Sequence, residues 1–163
     1  MKQWYIAGIL ACAVMLPAFH SEQPLTRAQL GEQLFFDPIL SGDRTISCAS
    51  CHKPQFAFAD TVAFSQGIHG QLTKRNTPSI TNQRGRPSFF WDGRSASLEE
   101  QAKQPIISAA EMGLPIEEAV KRLNADSSYV RAFRKLFNSV PTEKNLLNAL
   151  AAYERTLETA NSP

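Results

Sequence analysis

The chain has 163 residues, 43% of them hydrophobic and 20% charged, and a formal net charge of +2 from 17 Lys+Arg against 15 Asp+Glu. That length fits one domain or two small ones, and the apolar share is enough for a core, which argues against disorder. So balanced a charge gives no reason to expect a nucleic-acid partner, and three cysteines cannot all be paired in a disulfide framework.

Residues 1–18 read as an export signal. Lys2 precedes an uncharged apolar run from Tyr5 to Leu16 that ends at Pro17-Ala18, the pattern of a short positive start and an apolar stretch. The run is shorter than the ~20 apolar residues of a comfortable membrane span. Two alternatives are an uncleaved N-terminal anchor and lipid attachment at Cys12, whose Ile9-Leu-Ala-Cys12 context loosely resembles a lipobox. In each case the remainder of the chain works outside the cytoplasm. His20, at the junction, carries no role.

The first predicted helix is capped by Thr26 and runs to about Phe36, with Ala28, Leu30, Leu34 and Phe35 as its apolar positions; Asp37-Pro38 stops it. The motif Cys48-Ala-Ser-Cys51-His52 follows. In an oxidising compartment Cys48 and Cys51 are expected to form a disulfide unless something else consumes the thiols. Cys-x-x-Cys-His is the attachment sequence of c-type haem. Two thiols three apart at a helix start both reach the vinyl groups, and the adjacent His52 offers its imidazole as proximal ligand. A thioredoxin-like dithiol is the first competitor, but no βαβ pattern surrounds the motif. A zinc site is the second, and only His20 and His69 remain to complete four ligands.

From Lys53 to Trp91 the chain reads as loop, broken by Pro54, Gly67, Gly70, Pro78, Gly85 and Pro87, with no alternation long enough for a strand. An irregular stretch of that length in a compact domain is usually functional, and wrapping a haem accounts for it. Lys74, Arg75, Arg84, Arg86 and Arg94 stand around this stretch, which holds no acid from Thr61 to Trp91. One or two of them suit charge-assisted bonding to haem propionates, and the rest make a solvated basic face. Ser97-Leu-Glu-Glu100 has the spacing of a capping box and opens a short helix through about Lys103. Pro115 suits the first turn of a helix ending near Asn124. Asp126 starts another over Ser127–Phe137. A last helix follows Pro141-Thr142, with Leu146, Leu147, Leu150, Ala151 and Leu157 on one face. The fold class is all-α.

Several motifs appear in one order: Leu30-Gly-Glu-Gln-Leu-Phe-Phe-Asp-Pro38, Ser47-Cys-Ala-Ser-Cys-His52, Arg75-Asn-Thr-Pro78, Phe90-Trp-Asp-Gly-Arg94, Leu98-Glu-Glu-Gln-Ala102, Glu111-Met-Gly113 and Tyr153-Glu-Arg-Thr-Leu157. Together, over residues 25–163, they resemble the N-terminal haem domain of the bacterial di-haem cytochrome c peroxidase/MauG family. The resemblance implies a cytochrome c-like haem domain with long irregular loops, one covalent haem c and a periplasmic location. It implies that hydrogen peroxide meets the iron opposite His52. Glu111 acts as acid–base, moving a proton from one peroxide oxygen to the leaving one, and Gln101 positions the peroxide. A carboxylate in such a pocket has its pKa lifted toward working pH by desolvation. Without the resemblance, Glu111 reads as a solvated loop acid and Gln101 as a surface helix residue.

By the same resemblance His69, between Gly67 and Gly70, matches the distal ligand that leaves on activation in some members; the plain reading is a solvated loop histidine. Asn76 matches a residue that helps hold calcium between two haem domains, which makes any calcium site here partial. Trp91 matches a tryptophan between the haems, an electron conduit, or else is a core aromatic. The electron donor implied is a small redox protein such as a cytochrome c or cupredoxin. Family members carry a second Cys-x-x-Cys-His, whereas these 163 residues hold one. Three readings stay open: a peroxidase domain, working alone, beside a second haem domain or as a homodimer; a mono-haem carrier with a filled sixth position; and a fragment of a di-haem enzyme.

Overall fold

The computed structural model describes residues 25–159. The signal-like segment 1–18, Cys12 and His20 lie outside the described residues, as does the tail 160–163. Six helices carry the fold: α1 (Arg27–Phe36), the single turn α2 (Cys48–Cys51), α3 (Leu98–Ile107), α4 (Ile116–Ala125), α5 (Ser127–Phe137) and α6 (Glu143–Glu154). Among the described residues, extended pairing is limited to isolated bridges such as Lys53–Ala59 and Phe89–Ser95. The all-α expectation and the irregular 53–91 stretch both hold.

The helix ends follow local chemistry. Thr26 accepts from Gln29 N while the Gln29 side chain accepts from Thr26 N, closing a reciprocal cap on α1. Asp126 caps α5 by accepting from Ser128 N at 2.8 Å, and Asn138, left-handed at φ 54°, ends it. Two predicted details change. Ser97 accepts from Glu100 N, but the Glu100 carboxylate accepts from Ala96 N at 2.8 Å rather than from Ser97 N. Helix α3 also runs past Lys103 and through Pro105 to Ile107. Its last turn is held from outside by Met112 N to Pro105 O (3.1 Å) and Leu114 N to Ile106 O (2.8 Å), and by the complete burial of Ile106. Pro115 stands just before α4 in an extended conformation rather than in its first turn. Leu157 falls beyond α6, in the turn that closes on Glu154 O.

The core forms where α6 lies across α1, with α3 and the α4–α5 pair packed around them. Leu30, Leu34, Phe35, Phe133, Leu146 and Leu150 are all buried there. Gly31 sets the closeness of the crossing, because a Cβ on it would stand 1.9 Å from the Ala149 carbonyl oxygen. A glycine is required at that contact, and the resulting tight pair anchors the wall behind α2. Arg122 ties α4 to the segment before α2 by donating to the carbonyls of Ile39 (3.2 Å), Ser41 (2.7 Å) and Gly42 (3.0 Å).

Candidate haem site

One cavity of about 920 Å³ lies between α2, α3, the end of α6 and the 71–94 loop. That is the upper part of the range for small-molecule and cofactor sites. Phe35, Ile46, Ile80, Phe89, Leu98 and Leu150 make its apolar walls. Cys48, Cys51, His52, Asn76, Trp91, Gln101 and Glu111 all line it. The structure therefore brings together every candidate catalytic, haem-binding and metal-binding residue but one, while Arg84 of the basic residues also lies off the cavity. His69 is the exception: it does not line the cavity, its side chain is mostly exposed, and its Nδ1 is 3.7 Å from Asp43 Oδ2.

Helix α2 exists to present the motif. Ser50 Oγ accepts from Ser47 N at 3.0 Å, and His52 N donates back to Cys48 O at 2.9 Å, so one turn sets both thiols and the imidazole. Both cysteines are free. Burial pushes the Cys48 thiol up to about 12, and burial also raises Cys51 against the opposing Ser65 hydrogen bond. Both shifts run opposite to the depressed pKa of a thioredoxin-like thiolate couple. Burial lowers His52 and so favours the neutral imidazole, with the Phe58 and Pro78 carbonyls opposing. Its Nδ1 stands 3.0 Å from the Phe58 carbonyl, and an acceptor there fixes the ring as metal-ligating histidines are usually fixed.

Glu111 comes from the loop after α3. Its N–H donates to Ser108 O (3.0 Å), its carbonyl accepts from Ile68 N (2.9 Å), and the neighbouring Met112 is buried in the core. Gly113 is left-handed at φ 59°, and a Cβ there would meet Ile68 Cδ1 at 2.3 Å. The carboxyl of Glu111 is partly buried. Desolvation raises its pKa, while the Arg94 charge pulls the other way. Gln101 projects from α3 on the same wall. Trp91 is largely exposed, and its Nε1 donates to the Asn76 carbonyl at 3.0 Å, which fixes the indole at the rim. The Asn76 side chain itself donates to Val62 O at 2.9 Å. Among the described residues no group of three or more His, Cys, Asp or Glu gathers as a metal site.

Of the basic residues, Arg75 and Arg94 both pair with Asp92, and Arg84 pairs with Glu158. Lys74 and Arg86 line the cavity and, among the described residues, stand in no ion pair, which leaves them to meet an anionic edge. Two acids carry roles the sequence reading gave them no part in. Asp60, 3% exposed in its side chain, accepts from Lys53 Nζ and Ser65 Oγ at 2.6 Å each, bracing the loop beside α2. Glu154 lines the cavity, and its Oε2 is fully buried without a hydrogen-bond partner. Burial raises this carboxyl to about 8, with Arg155 opposing and Glu99 adding, so the neutral acid is favoured at that point of the wall. Two thiols on one helical turn, an imidazole that burial keeps neutral, apolar walls and cations at the rim together fit a covalently held haem c.

Helices of this arrangement around such a cavity define a cytochrome c-like haem domain. Within that class, residues 26–163 match the family model for di-haem cytochrome c peroxidase, and the chain belongs to that family. It is 38% identical to the methylamine utilization protein MauG of Methylorubrum extorquens and 40% identical to cytochrome c551 peroxidase of Pseudomonas aeruginosa, with 86% of the chain aligned in each case. The chain spans 41% and 42% of the lengths of these two relatives. Among solved structures it resembles a MauG-like protein associated with microbial copper homeostasis (TM-score 0.77, 34% identity), covering 83% of this chain and 41% of that one. It also resembles the diheme peroxidase BthA from Burkholderia thailandensis (TM-score 0.71, 29% identity), covering 79% of this chain and 38% of that one.

Proposed function

We propose that the chain is an exported haem c peroxidase domain that reduces hydrogen peroxide to water with electrons from a small redox protein such as a cytochrome c or cupredoxin. The observation that carries this reading is the position of Glu111: a desolvated carboxyl on the wall of the cavity that also holds Cys48, Cys51 and His52. Haem c held by those three residues would supply the iron that receives peroxide and the electrons. In the overall reaction one peroxide, two electrons and two protons give two waters. Glu111 takes a proton from one peroxide oxygen and returns it to the other, which leaves as water. Burial favours this, because desolvation lifts the carboxyl above its usual value and makes it a better proton acceptor than a solvated acid. Gln101 supplies an amide that orients the peroxide, and the apolar walls keep competing water out. Trp91, fixed at the rim by its bond to Asn76, is the entry for electrons.

The Tyr5–Leu16 run after Lys2 supports export to the periplasm, where haem c is attached; among the described residues no helix is long and apolar enough to cross a membrane. His69 reaches the iron as a distal ligand only if the turn around it, held by Ile68 N to Glu111 O, lets go. Calcium would gain a single side-chain ligand here, Asn76. The share of each relative that the chain covers favours a second reading, in which this domain works beside a second haem domain.

The test is to mature the chain with haem c and add one equivalent of peroxide while recording the Soret band. A peroxide-dependent change that Glu111→Gln abolishes, with covalent haem and helicity retained, is the expected result. An unchanged ferric spectrum in the parent chain would overturn the stand-alone peroxidase and leave the carrier or the partnered domain.

A further inference from the structure

Glu154 is the last residue of α6, four on from Leu150, so both face the cavity from one helix edge. The residue is 6% exposed and its Oε2 has no partner. Nothing in the peroxide chemistry uses it, since Glu111 and Gln101 come from α3 and its trailing loop. A carboxylate at the C-terminal end of a helix meets the negative pole of the helix dipole, which favours the neutral acid. The charged groups facing it are Arg155, next in the chain, and Glu99 on α3. Those two are paired with each other, Arg155 Nη2 to Glu99 Oε2 at 2.9 Å, so the arginine's charge is largely answered already. From α2 the Cys48 thiol faces it, and from α1 Glu32 bears on Tyr153 rather than on Glu154. The surroundings offer no full counter-charge and no fixed donor to Oε2.

We propose that Glu154 is the redox-linked proton site of the pocket, taking up a proton when the haem iron is reduced and releasing it when the iron is oxidised. The inference rests on the reading that the cavity holds haem through Cys48 and Cys51. With haem held by Cys48 and Cys51, a one-electron donor would reduce the ferric iron, and a solvent proton would add to the Glu154 carboxylate, giving the acid. Oxidation reverses both, so charge in the cavity stays nearly constant. The physical reason is that reduction removes one positive charge from a water-poor interior, where charges act over many ångströms. Burial already holds Glu154 far above its usual value, at about 8, with Arg155 pulling it down and Glu99 raising it. A ferric iron's positive charge would bring it lower, and loss of that charge on reduction would raise it again.

The experiment is a spectroelectrochemical titration of the haem-loaded chain from pH 5.5 to 9. The expected result is a midpoint potential that falls with pH in the parent and is nearly flat in Glu154→Gln. An equal slope in both, or no slope in the parent, overturns the proposal. Should Glu154→Gln fail to fold, the redox difference infrared spectrum of the parent decides. A carboxylic-acid carbonyl band that appears on reduction, and moves in Glu154→Asp, supports the site; no such band overturns it. A chain that carries no covalent haem by mass overturns both this inference and the haem reading beneath it, whereas a loaded chain with an unaltered slope overturns this inference alone.

Discussion

The ring of His52 is held by the backbone of Phe58, six residues on, with Nδ1 3.0 Å from the Phe58 carbonyl oxygen. A carbonyl only accepts, so this contact favours the tautomer with the proton on Nδ1, which leaves the Nε2 lone pair to a metal. The chain returns to His52 through two consecutive left-handed residues, Ala57 at φ 52° and Phe58 at φ 57°. Hydrogen bonds from Phe58 N to Lys53 O (2.9 Å) and from Lys53 N to Ala59 O (3.2 Å) lock that return.

Ala57 is exposed and holds a conformation that costs a non-glycine residue about 1–2 kcal/mol, while glycine there loses part of the gain to entropy. Ala57→Gly is therefore expected to stabilise the fold by about 0.5–1 kcal/mol, raising Tm by about 2–3 °C, without altering the haem spectrum. A thermal melt of the two chains checks it. A fall in Tm would mean that the turn is set by its hydrogen bonds and not limited by the strain at residue 57.

Gly31 and Ala149 mark the closest approach of α1 and α6. Since a Cβ on Gly31 would lie 1.9 Å from a backbone oxygen and 2.9 Å from Tyr153 Cβ, no side-chain rotation relieves it. Gly31→Ala must separate the helices, at about 3 kcal/mol or more by the cost of overpacking. Because this crossing backs the wall behind α2, the same variant is expected to lower the yield of haem-loaded protein. Chemical denaturation of the parent and the variant measures the first effect, and absorbance per chain the second.

What the sequence made legible, and what it did not, divides by the range of the interaction. The helices were readable from caps and periodicity because Thr26, Asp126 and Thr142 act on residues two or three away. The attachment motif was readable because its spacing is covalent chemistry. Helix α3 outruns its expected end near Lys103 because the bonds that carry it through Pro105 come from residues 112 and 114. His69 was drawn toward the iron by resemblance, and its exposed place beside Asp43 depends on loop packing that no local pattern encodes. Glu154 did leave a signal: it continues the Leu146, Leu147, Leu150 face, where an acid is out of place.

Arg122 offers a test of how the segment before α2 is tied down. Its guanidinium answers three backbone carbonyls in a largely buried setting, on Ile39, Ser41 and Gly42. Arg122→Met keeps the aliphatic stem and removes every donor, leaving those oxygens short of partners. A loss of about 2–3 kcal/mol is expected. Arg122→Lys should recover only part of it, because an ammonium cannot span the three acceptors as a planar fork does. Equal stability of the methionine variant and the parent would show that the segment is held by Gly42 N to Met112 O and core packing alone.

Asp60 governs the acid limb of stability. Burial pushes its carboxyl up, but the hydrogen bonds from Lys53, Ser65 and Thr61 N, together with the Lys53 charge, outweigh that and hold it down to about 2. Ser65 Oγ in turn lies 2.7 Å from Thr77 Oγ1, so the acid ties the loop beside α2 to the irregular segment around Pro78. The folded value lies below the ordinary 3.8, so the unfolded chain binds this proton more readily than the folded one. The contribution is complete above about pH 4 and is lost as the pH falls through 2. Asp60→Asn keeps the shape but removes the charge, and is expected to cost about 2–3 kcal/mol at pH 7. The variant lacks the titrating group, so its stability should fall less between pH 5 and pH 2, and the two curves should converge toward the acid end. Denaturant titrations at four or five pH values would show it. Curves that run parallel down to pH 2 would mean that the acid sensitivity belongs to other carboxylates, and that Asp60 braces the loop by its hydrogen bonds irrespective of charge.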